Sequence, residues 1–199
     1  DYPNEIPWFY EDLAELRAGT LTDKIVRSGW PMVYMPETIT PYKTTKRDLI
    51  LFPHRIAPEK QVEIFKDLAH ALPQYEWIVC QEQNLTKEGY HTLLGEAKLV
   101  FSANLQETLG ISWYEGAITK TIPMVPDRLS YSEMALKDFS YPSEWTQDWH
   151  SYCTHKNAIV DRIVHYMENY GSYLPRLNKQ VDILTENYFS CDELLKMLK

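Results

Sequence analysis

Short runs of consecutive apolar residues recur from residue 48 onward, and stretches with helical spacing separate them. A continuous apolar run is typical of a parallel strand that is buried on both faces of a sheet. Four such strands are predicted, over residues 49–52, 75–80, 98–102 and 122–126. Two prolines in the last run, Pro123 and Pro126, favour a short strand near an edge of the sheet.

Between these strands the apolar residues recur at the period of an α-helix. The predicted helices run from residue 58 to 72, from 86 to 97 with a break near Gly89 or Gly95, and from 108 to 120. Later helices are predicted over 129–138 and 157–170, with Gly171 after the second, and from a capping box at Ser190. Strands that alternate with helices predict an α/β fold, a Rossmann-like doubly wound parallel sheet flanked by helices.

The first 47 residues follow another pattern. Phe9, Leu13 and Leu16 have helical spacing, and residues 24–28 suit a strand. Residues 34–47 are rich in proline and threonine, which is typical of an extended linker, although a surface loop fits this composition equally well. We therefore expect residues 1–30 to be the remnant of a preceding domain, 31–47 a linker, and 48–199 a ligand-binding domain.

Composition narrows the class of ligand. The chain has 199 residues, 44% of them hydrophobic, which suffices for one α/β domain with a real core. Its formal net charge of −8 disfavours nucleic acid as the main ligand, because phosphate-backbone binding needs a basic excess. Three widely spaced cysteines are typical of reduced thiols, so we expect a cytoplasmic protein. No apolar run approaches the roughly 18 residues of a membrane span, and no transmembrane segment is expected.

Two cations follow the first predicted strand. Arg55 comes just after its carboxyl end, and Lys60 lies in the first turn of the next helix. Ligands of doubly wound sheets bind beyond the carboxyl ends of the strands, so both side chains can converge on one anion there. Arginine grips two phosphate oxygens at once, whereas lysine acts as a point charge. Two solvated surface cations remain the alternative.

Two carboxylates, Glu107 and Glu115, lie eight positions apart around the start of the third predicted helix. Eight helical residues rise about 12 Å, close to the distance between the ribose and the sugar of a nucleotide-sugar. The free N–H groups of the first turn, around Leu109, Gly110 and Ile111, suit a diphosphate, and Gly110 permits close backbone approach. Ordinary acids on a helix surface are again the alternative.

Together these residues resemble a known motif set. Arg-x4-Lys after a first strand, followed by Glu-x7-Glu with a glycine three residues after the first glutamate, is similar to the donor domain of retaining GT-B glycosyltransferases of the family 4-like type. Residues 52–60, 107–117 and 122–125 carry the likeness, which covers about residues 24–130. The chain departs from the family pattern at His54 and at Lys120 or Thr121, where glycine is common.

The resemblance implies a role for each residue. Arg55 and Lys60 would hold the donor diphosphate with help from the N–H groups of residues 109–111, Glu115 would bind the ribose hydroxyls, and Glu107 would be the catalytic residue facing the sugar. The family retains the anomeric configuration and uses neither a metal nor another cofactor. Its acceptor binds largely on an N-terminal domain that is missing here, so this fragment alone would be inactive.

Two other functions stay open. A non-catalytic α/β interaction module could keep the fold without the ligand. A nucleotide-sugar epimerase could share the same two-domain plan.

Overall fold

The apolar runs form a five-stranded parallel sheet in the computed structural model, which describes residues 29–197. The strands are β1 (Arg47–Phe52), β2 (Glu76–Val79), β3 (Ala97–Phe101), β4 (Ile122–Pro126) and β5 (Ser140–Tyr141). Their order is β2-β1-β3-β4-β5, and every neighbouring pair is parallel. The predicted fold class is therefore confirmed. As its two prolines indicate, β4 is short and lies next to an edge strand, the two-residue β5.

Helices connect and cover these strands. They are α1 (Met35–Ile39), α2 (Val62–Ala71), α3 (Lys87–Glu96), α4 (Ile111–Ile118), α5 (Ser130–Met134), α6 (Trp149–Glu168), α7 (Tyr170–Asn187) and α8 (Asp192–Met197). Single 3₁₀ turns occupy Thr40–Tyr42, Pro58–Lys60, Cys80–Gln83 and Ser143–Thr146.

Both faces of the sheet are buried, because successive side chains of a strand point to opposite faces. In β1, Ile50 and Phe52 pack in a cluster with apolar residues of α2 and α6. Leu49 and Leu51 pack in another cluster with Leu94 of α3. A third cluster joins β4 to α1, α4, α5 and α7. This arrangement makes the sheet doubly wound.

The order in which strands are added to the sheet changes side once, at β1. From β1 the chain crosses to β2 on one side, and it then returns to β3 on the other side of β1. The loops that leave β1 and β3 therefore diverge at the carboxyl edge of the sheet and leave a crevice between them. In open α/β sheets such a switch point is where ligands bind.

Several helix boundaries differ from the sequence prediction. The helix predicted over 86–97 is not broken. Its Gly95 lies against the backbone of Tyr42, where a Cβ would stand 1.7 Å from the carbonyl oxygen. Packing, not helix breaking, explains this glycine. The helix predicted to begin at residue 108 begins at Ile111, and that predicted over 129–138 covers only Ser130–Met134.

The prediction was least accurate toward the C-terminus. Helix α6 begins at Trp149, where the Asp148 side chain accepts a 2.7 Å hydrogen bond from the Ser151 N–H. Gly171 does not follow the helix as an end signal but lies inside the first turn of α7, a helix that no sequence signal predicted. Ser190 does precede the last helix, and its hydroxyl accepts a 3.3 Å hydrogen bond from the Asp192 N–H.

The stretch interpreted as an extended linker is partly helical. Helix α1 and the following 3₁₀ turn occupy Met35–Tyr42, and Met35 and Ile39 are buried in the cluster beneath β4. An extended conformation is therefore wrong for these residues, because they bury apolar side chains. The domain boundaries at residues 30 and 47 stay predictions. The helix and strand expected before residue 29 lie outside the described residues.

Candidate functional site

A cavity of about 410 Å³ lies at the carboxyl edge of the sheet, between the segments that leave β1 and β3. Two hydrogen bonds tie these walls together, from the Leu105 N–H to the Glu59 carbonyl at 2.7 Å and from Lys60 Nζ to the Gln106 carbonyl at 2.5 Å. The lining includes six of the seven predicted site residues: Arg55, Lys60, Glu107, Leu109, Gly110 and Ile111. The seventh, Glu115, does not line it.

Lys60 forms an ion pair with Glu107 across this cavity, with Nζ 3.2 Å from Oε2. Both side chains are largely buried, with exposed fractions of 10% and 16%. The sequence predicted that Lys60 acts as a point charge on an anion, and this stays a prediction. The structure also gives Lys60 a counter-ion from the protein itself.

The carboxylate of Glu107 organises the loop that leads into α4. Its Oε1 accepts hydrogen bonds from the N–H groups of Thr108 at 3.0 Å and Gly110 at 3.1 Å. Its Oε2 accepts one from Asn104 Nδ2 at 2.9 Å, in addition to that from Lys60. Burial alone would raise the pKa of Glu107, but the charge and hydrogen bond of Lys60 and the Thr108 N–H outweigh it, so the pKa is lowered. Glu107 is therefore ionised at neutral pH.

Gly110 is the N-cap residue of α4 and has a left-handed conformation, with φ of 69°. A Cβ there would lie 2.5 Å from Cδ1 of Trp113, so the position requires glycine for both its conformation and its space. The Gly110 N–H is occupied by Glu107. The N–H groups of Ile111 and Ser112, which also line the cavity, have no hydrogen-bond partner among residues 29–197. Of the N–H groups predicted to suit a diphosphate, that of Gly110 is thus occupied and that of Ile111 is free within that range.

Arg55 supplies the accessible positive charge of this cavity. Its side chain is 70% exposed and forms an ion pair with Glu59, four residues later. A guanidinium carries five N–H donors, so one carboxylate leaves several of them available. Arg55 can therefore contact a ligand without losing its protein partner.

The carboxylate of Glu115 is bound by a tyrosine and a histidine of α3. Tyr90 Oη donates a 3.0 Å hydrogen bond to Oε2 of Glu115, and Nε2 of His91 lies 3.4 Å from Oε1. These contacts join α4 to α3. Because Glu107 precedes the helix, the two glutamates do not lie along one continuous helix, and the separation of about 12 Å expected from helical rise does not apply.

A second cavity, of about 400 Å³, adjoins the first and shares the residues 53–55 with it. Its other lining residues are Cys80, Gln81, Asn84, Leu85 and Tyr90. None of these five residues was predicted to belong to the site. The available signal was the polar character of residues 81–84 directly after a strand. The two cavities together form one elongated depression over the ends of β2, β1 and β3.

His54 points into the protein instead of into solvent. It is 6% exposed, and its ring packs edge-on against Phe52 with centroids 5.1 Å apart. Nδ1 lies 3.4 Å from Asn104 Nδ2, and Nε2 has no hydrogen-bond partner in the described part of the chain. Burial, followed by the nearby charge of Lys60, lowers the pKa of His54 to about 4. The ring is therefore neutral at physiological pH.

Within residues 29–197, no cluster of three or more histidine, cysteine, aspartate or glutamate side chains with metal-binding geometry occurs. None of the helices in this range combines the length and the apolar character of a membrane span. The three cysteines are free thiols.

The strand order, the crevice and the helices on both faces define an α/β fold similar to that of a GT-B glycosyltransferase. One solved structure with this fold is the crystal structure of TarM, which matches with a TM-score of 0.59 at 16% sequence identity. The match covers 90% of this chain, and the chain spans 38% of the length of TarM. Neither protein-family models nor curated proteins give a match.

Proposed function

We propose that this chain binds a nucleoside diphosphate sugar at the carboxyl edge of its sheet, as the donor domain of a retaining glycosyltransferase of the family 4-like type. One observation carries the proposal. The cavity at the switch point brings together Arg55, Lys60, Glu107 and the free N–H groups at the start of α4. These groups come from two distant chain segments that the sequence motifs had marked independently.

The ligand would lie along both cavities. Its diphosphate would contact the guanidinium of Arg55, the ammonium of Lys60 and the N–H groups of Ile111 and Ser112. The sugar would lie over Glu107, and the nucleoside would extend past residues 53–55 toward Gln81 and Tyr90. Pockets for small ligands commonly measure about 300–1,000 Å³, and each cavity falls in that range.

The reaction would need stabilisation of a departing nucleoside diphosphate. Negative charge grows on its oxygens as the bond to the sugar breaks, and preorganised donors aimed at that charge lower the barrier. Arg55, Lys60 and the α4 N–H groups would supply these donors without a metal, and Glu107 would hold the loop and Lys60 in place. Retention of configuration, independence of metal and an acceptor-binding domain elsewhere are part of the proposal.

Calorimetric titration with UDP and with GDP tests donor binding. We expect saturable binding of at least one of them and an affinity at least about tenfold weaker in Arg55→Ala, since a charge-assisted hydrogen bond contributes about 1.5–3 kcal/mol. Arg176→Ala is the matched control, because Arg176, like Arg55, is an exposed arginine that pairs with one carboxylate. The partner of Arg176 is Asp138. A folded wild-type chain that binds neither nucleotide would contradict the proposal, as would equal affinities for Arg55→Ala and the wild type.

A non-catalytic interaction module of the same fold is the second candidate. The observation that favours it is the internal pairing of Lys60 with Glu107 and of Glu115 with Tyr90 and His91, which satisfies these groups without a ligand. Thermal unfolding in the presence of a panel of nucleotides and nucleotide-sugars separates the candidates. Donor binding raises the melting temperature with ligand concentration, whereas the module shows no shift with any of them.

A further inference from the structure

A third cavity, of about 220 Å³, lies at the opposite, amino edge of the sheet. Lys46 directly precedes β1, and Lys120 lies between α4 and β4. Parallel strands of five or six residues separate this edge from the candidate donor site by about 17–20 Å. We call this cavity the lysine pocket, and it is lined by Lys43, Thr44, Lys46, Lys120, Tyr170, Leu174 and Asn178.

The lysine pocket has positive charge without a counter-ion. Its lining contains three lysines and no carboxylate. Within residues 29–197, none of the three forms an ion pair with an acidic side chain. The carboxylate of Asp182 on α7 acts to raise the pKa of Lys120, but burial and the charge of Lys43 lower it more. Three unpaired lysines around one cavity are unexpected in a chain whose net charge is −8.

Lys46 lines this cavity, and the hydrogen-bond partners of its ammonium are neutral. Its Nζ donates hydrogen bonds to the hydroxyl of Thr121 at 2.9 Å and to the carbonyl of Leu94 at 3.3 Å. An ammonium has three N–H donors, so one remains for a ligand. Burial, followed by the charges of Lys43 and Lys120, lowers the pKa of Lys46 to about 7. An anion bound beside it would remove the repulsion that these charges cause.

Lys120 occupies a backbone position that favours glycine. Its φ is 67°, in the left-handed region that side chains with a Cβ rarely adopt. Its carbonyl accepts a 2.6 Å hydrogen bond from Tyr170 Oη, and its Nζ donates to the side-chain oxygen of Asn178. Lysine at this position places a third ammonium on the cavity wall, which a glycine would not do.

We propose that the lysine pocket binds a small phosphate-class anion, inorganic phosphate or a phosphate monoester, independently of the donor site. The lining lysines would supply the charge, and the free N–H of Lys46 would donate to the anion. The cavity is smaller than the roughly 300 Å³ at which drug-sized ligand pockets begin, so it suits a small anion better than a nucleotide-sugar. This inference does not depend on the proposed donor binding.

Calorimetric titration with sodium phosphate and with sodium sulfate tests it, with sodium chloride at equal ionic strength as the reference. We expect saturable binding of both dianions. The affinity should fall at least about tenfold in Lys46→Met, which loses a charge-assisted hydrogen bond, and about two- to fivefold in the exposed Lys43→Gln. Lys179→Gln is the matched control, since Lys179 is an exposed lysine of α7 outside the cavity, and its affinity should equal that of the wild type.

The donor-site variant Arg55→Ala separates this site from the other edge. We expect phosphate binding to persist in Arg55→Ala and nucleotide binding to persist in Lys43→Gln. Phosphate binding that Arg55→Ala abolishes and both lysine variants leave intact would assign the anion to the donor site and overturn the inference. So would the absence of saturable binding in the folded wild type. Cosedimentation with phosphatidic acid vesicles that requires Lys43, without binding of free phosphate, would overturn it in favour of a lipid headgroup.

Discussion

The cavities at the two edges of the sheet differ in whether the cations that line them have acidic partners. At the carboxyl edge, Lys60 and Arg55 each have a glutamate partner. At the amino edge, Lys43, Lys46 and Lys120 surround a cavity that has no acid in its lining. A lysine that follows a strand is therefore weak evidence for an anion site until its counter-ion is known. Of the two cavities, the one with fewer sequence motifs has the greater unbalanced charge in its lining.

The largest expected effect concerns the contact that shapes the wall of the lysine pocket. In Gly95→Ala the new methyl group would meet the carbonyl of Tyr42, directly before Lys43, and we expect the free energy of unfolding to fall by about 3 kcal/mol. Gly171→Ala is the control, because a Cβ there meets no atom within 4 Å, and it should stabilise by about 0.5–1 kcal/mol. Urea denaturation measures both. Equal effects of the two substitutions would contradict the close approach at Gly95.

Removing one lysine at each edge tests the difference in pairing directly. Lys60→Met leaves Glu107 buried without its counter-ion, and we expect it to destabilise the fold by about 2–3 kcal/mol. Lys46→Met removes a buried lysine that has no carboxylate partner and whose burial opposes its charge, so at pH 7 it should not destabilise the fold. The double variant Lys60→Met/Glu107→Gln should be more stable than Lys60→Met alone. Equal losses in the two single variants would refute the distinction between the edges.

A titratable residue at each edge should make the free energy of unfolding depend on pH, and the two residues should do so in different pH ranges. The pKa of Lys46 is lowered from 10.5 to about 7, so between these values the unfolded chain binds a proton that the folded chain does not, and stability rises with pH. His54, lowered from 6.5 to about 4, gives the same sign between pH 4 and 6.5. Each slope is at most about 1.4 kcal/mol per pH unit.

Two variants assign these slopes. The upper slope should disappear in Lys46→Met and the lower one should decrease in His54→Gln, when unfolding is followed by circular dichroism across the pH range. Below about pH 4.5, the ordinary pKa of a glutamate, Glu107 adds a contribution of the same direction, because its pKa is also lowered and its stabilisation is lost as pH falls. An upper slope that survives in Lys46→Met would show that another group causes it.

The smallest expected effect on stability is that of Arg55→Ala. Its side chain is 70% exposed, and an exposed ion pair contributes little, so the free energy of unfolding should change by less than about 0.5 kcal/mol. Combined with a loss of nucleotide affinity in the same variant, this result would separate binding from folding. A loss of more than about 2 kcal/mol would mean that Arg55 acts on the fold itself.

The sequence predicted the sheet well because buried parallel strands are continuous apolar runs with few alternatives. It also placed Arg55, Lys60 and Glu107 near one another, since residues after neighbouring strands meet at the same edge. It did not predict that Lys60 and Glu107 bind each other, because that depends on a separation of a few ångströms between loops 47 residues apart. Helix α7 was missed because its glycine and proline resemble end signals, whereas tertiary burial of Leu177 and Leu184 stabilises it.

The hydrogen bond from Tyr90 to Glu115 has a consequence for nucleoside affinity. On the proposed function, a ribose that reaches Glu115 must first displace the phenol, so one hydroxyl donor replaces another and the exchange is close to thermoneutral. Most of the net attraction must then come from the phosphates and from the base. The displaced ring would be free to move alongside the incoming nucleoside.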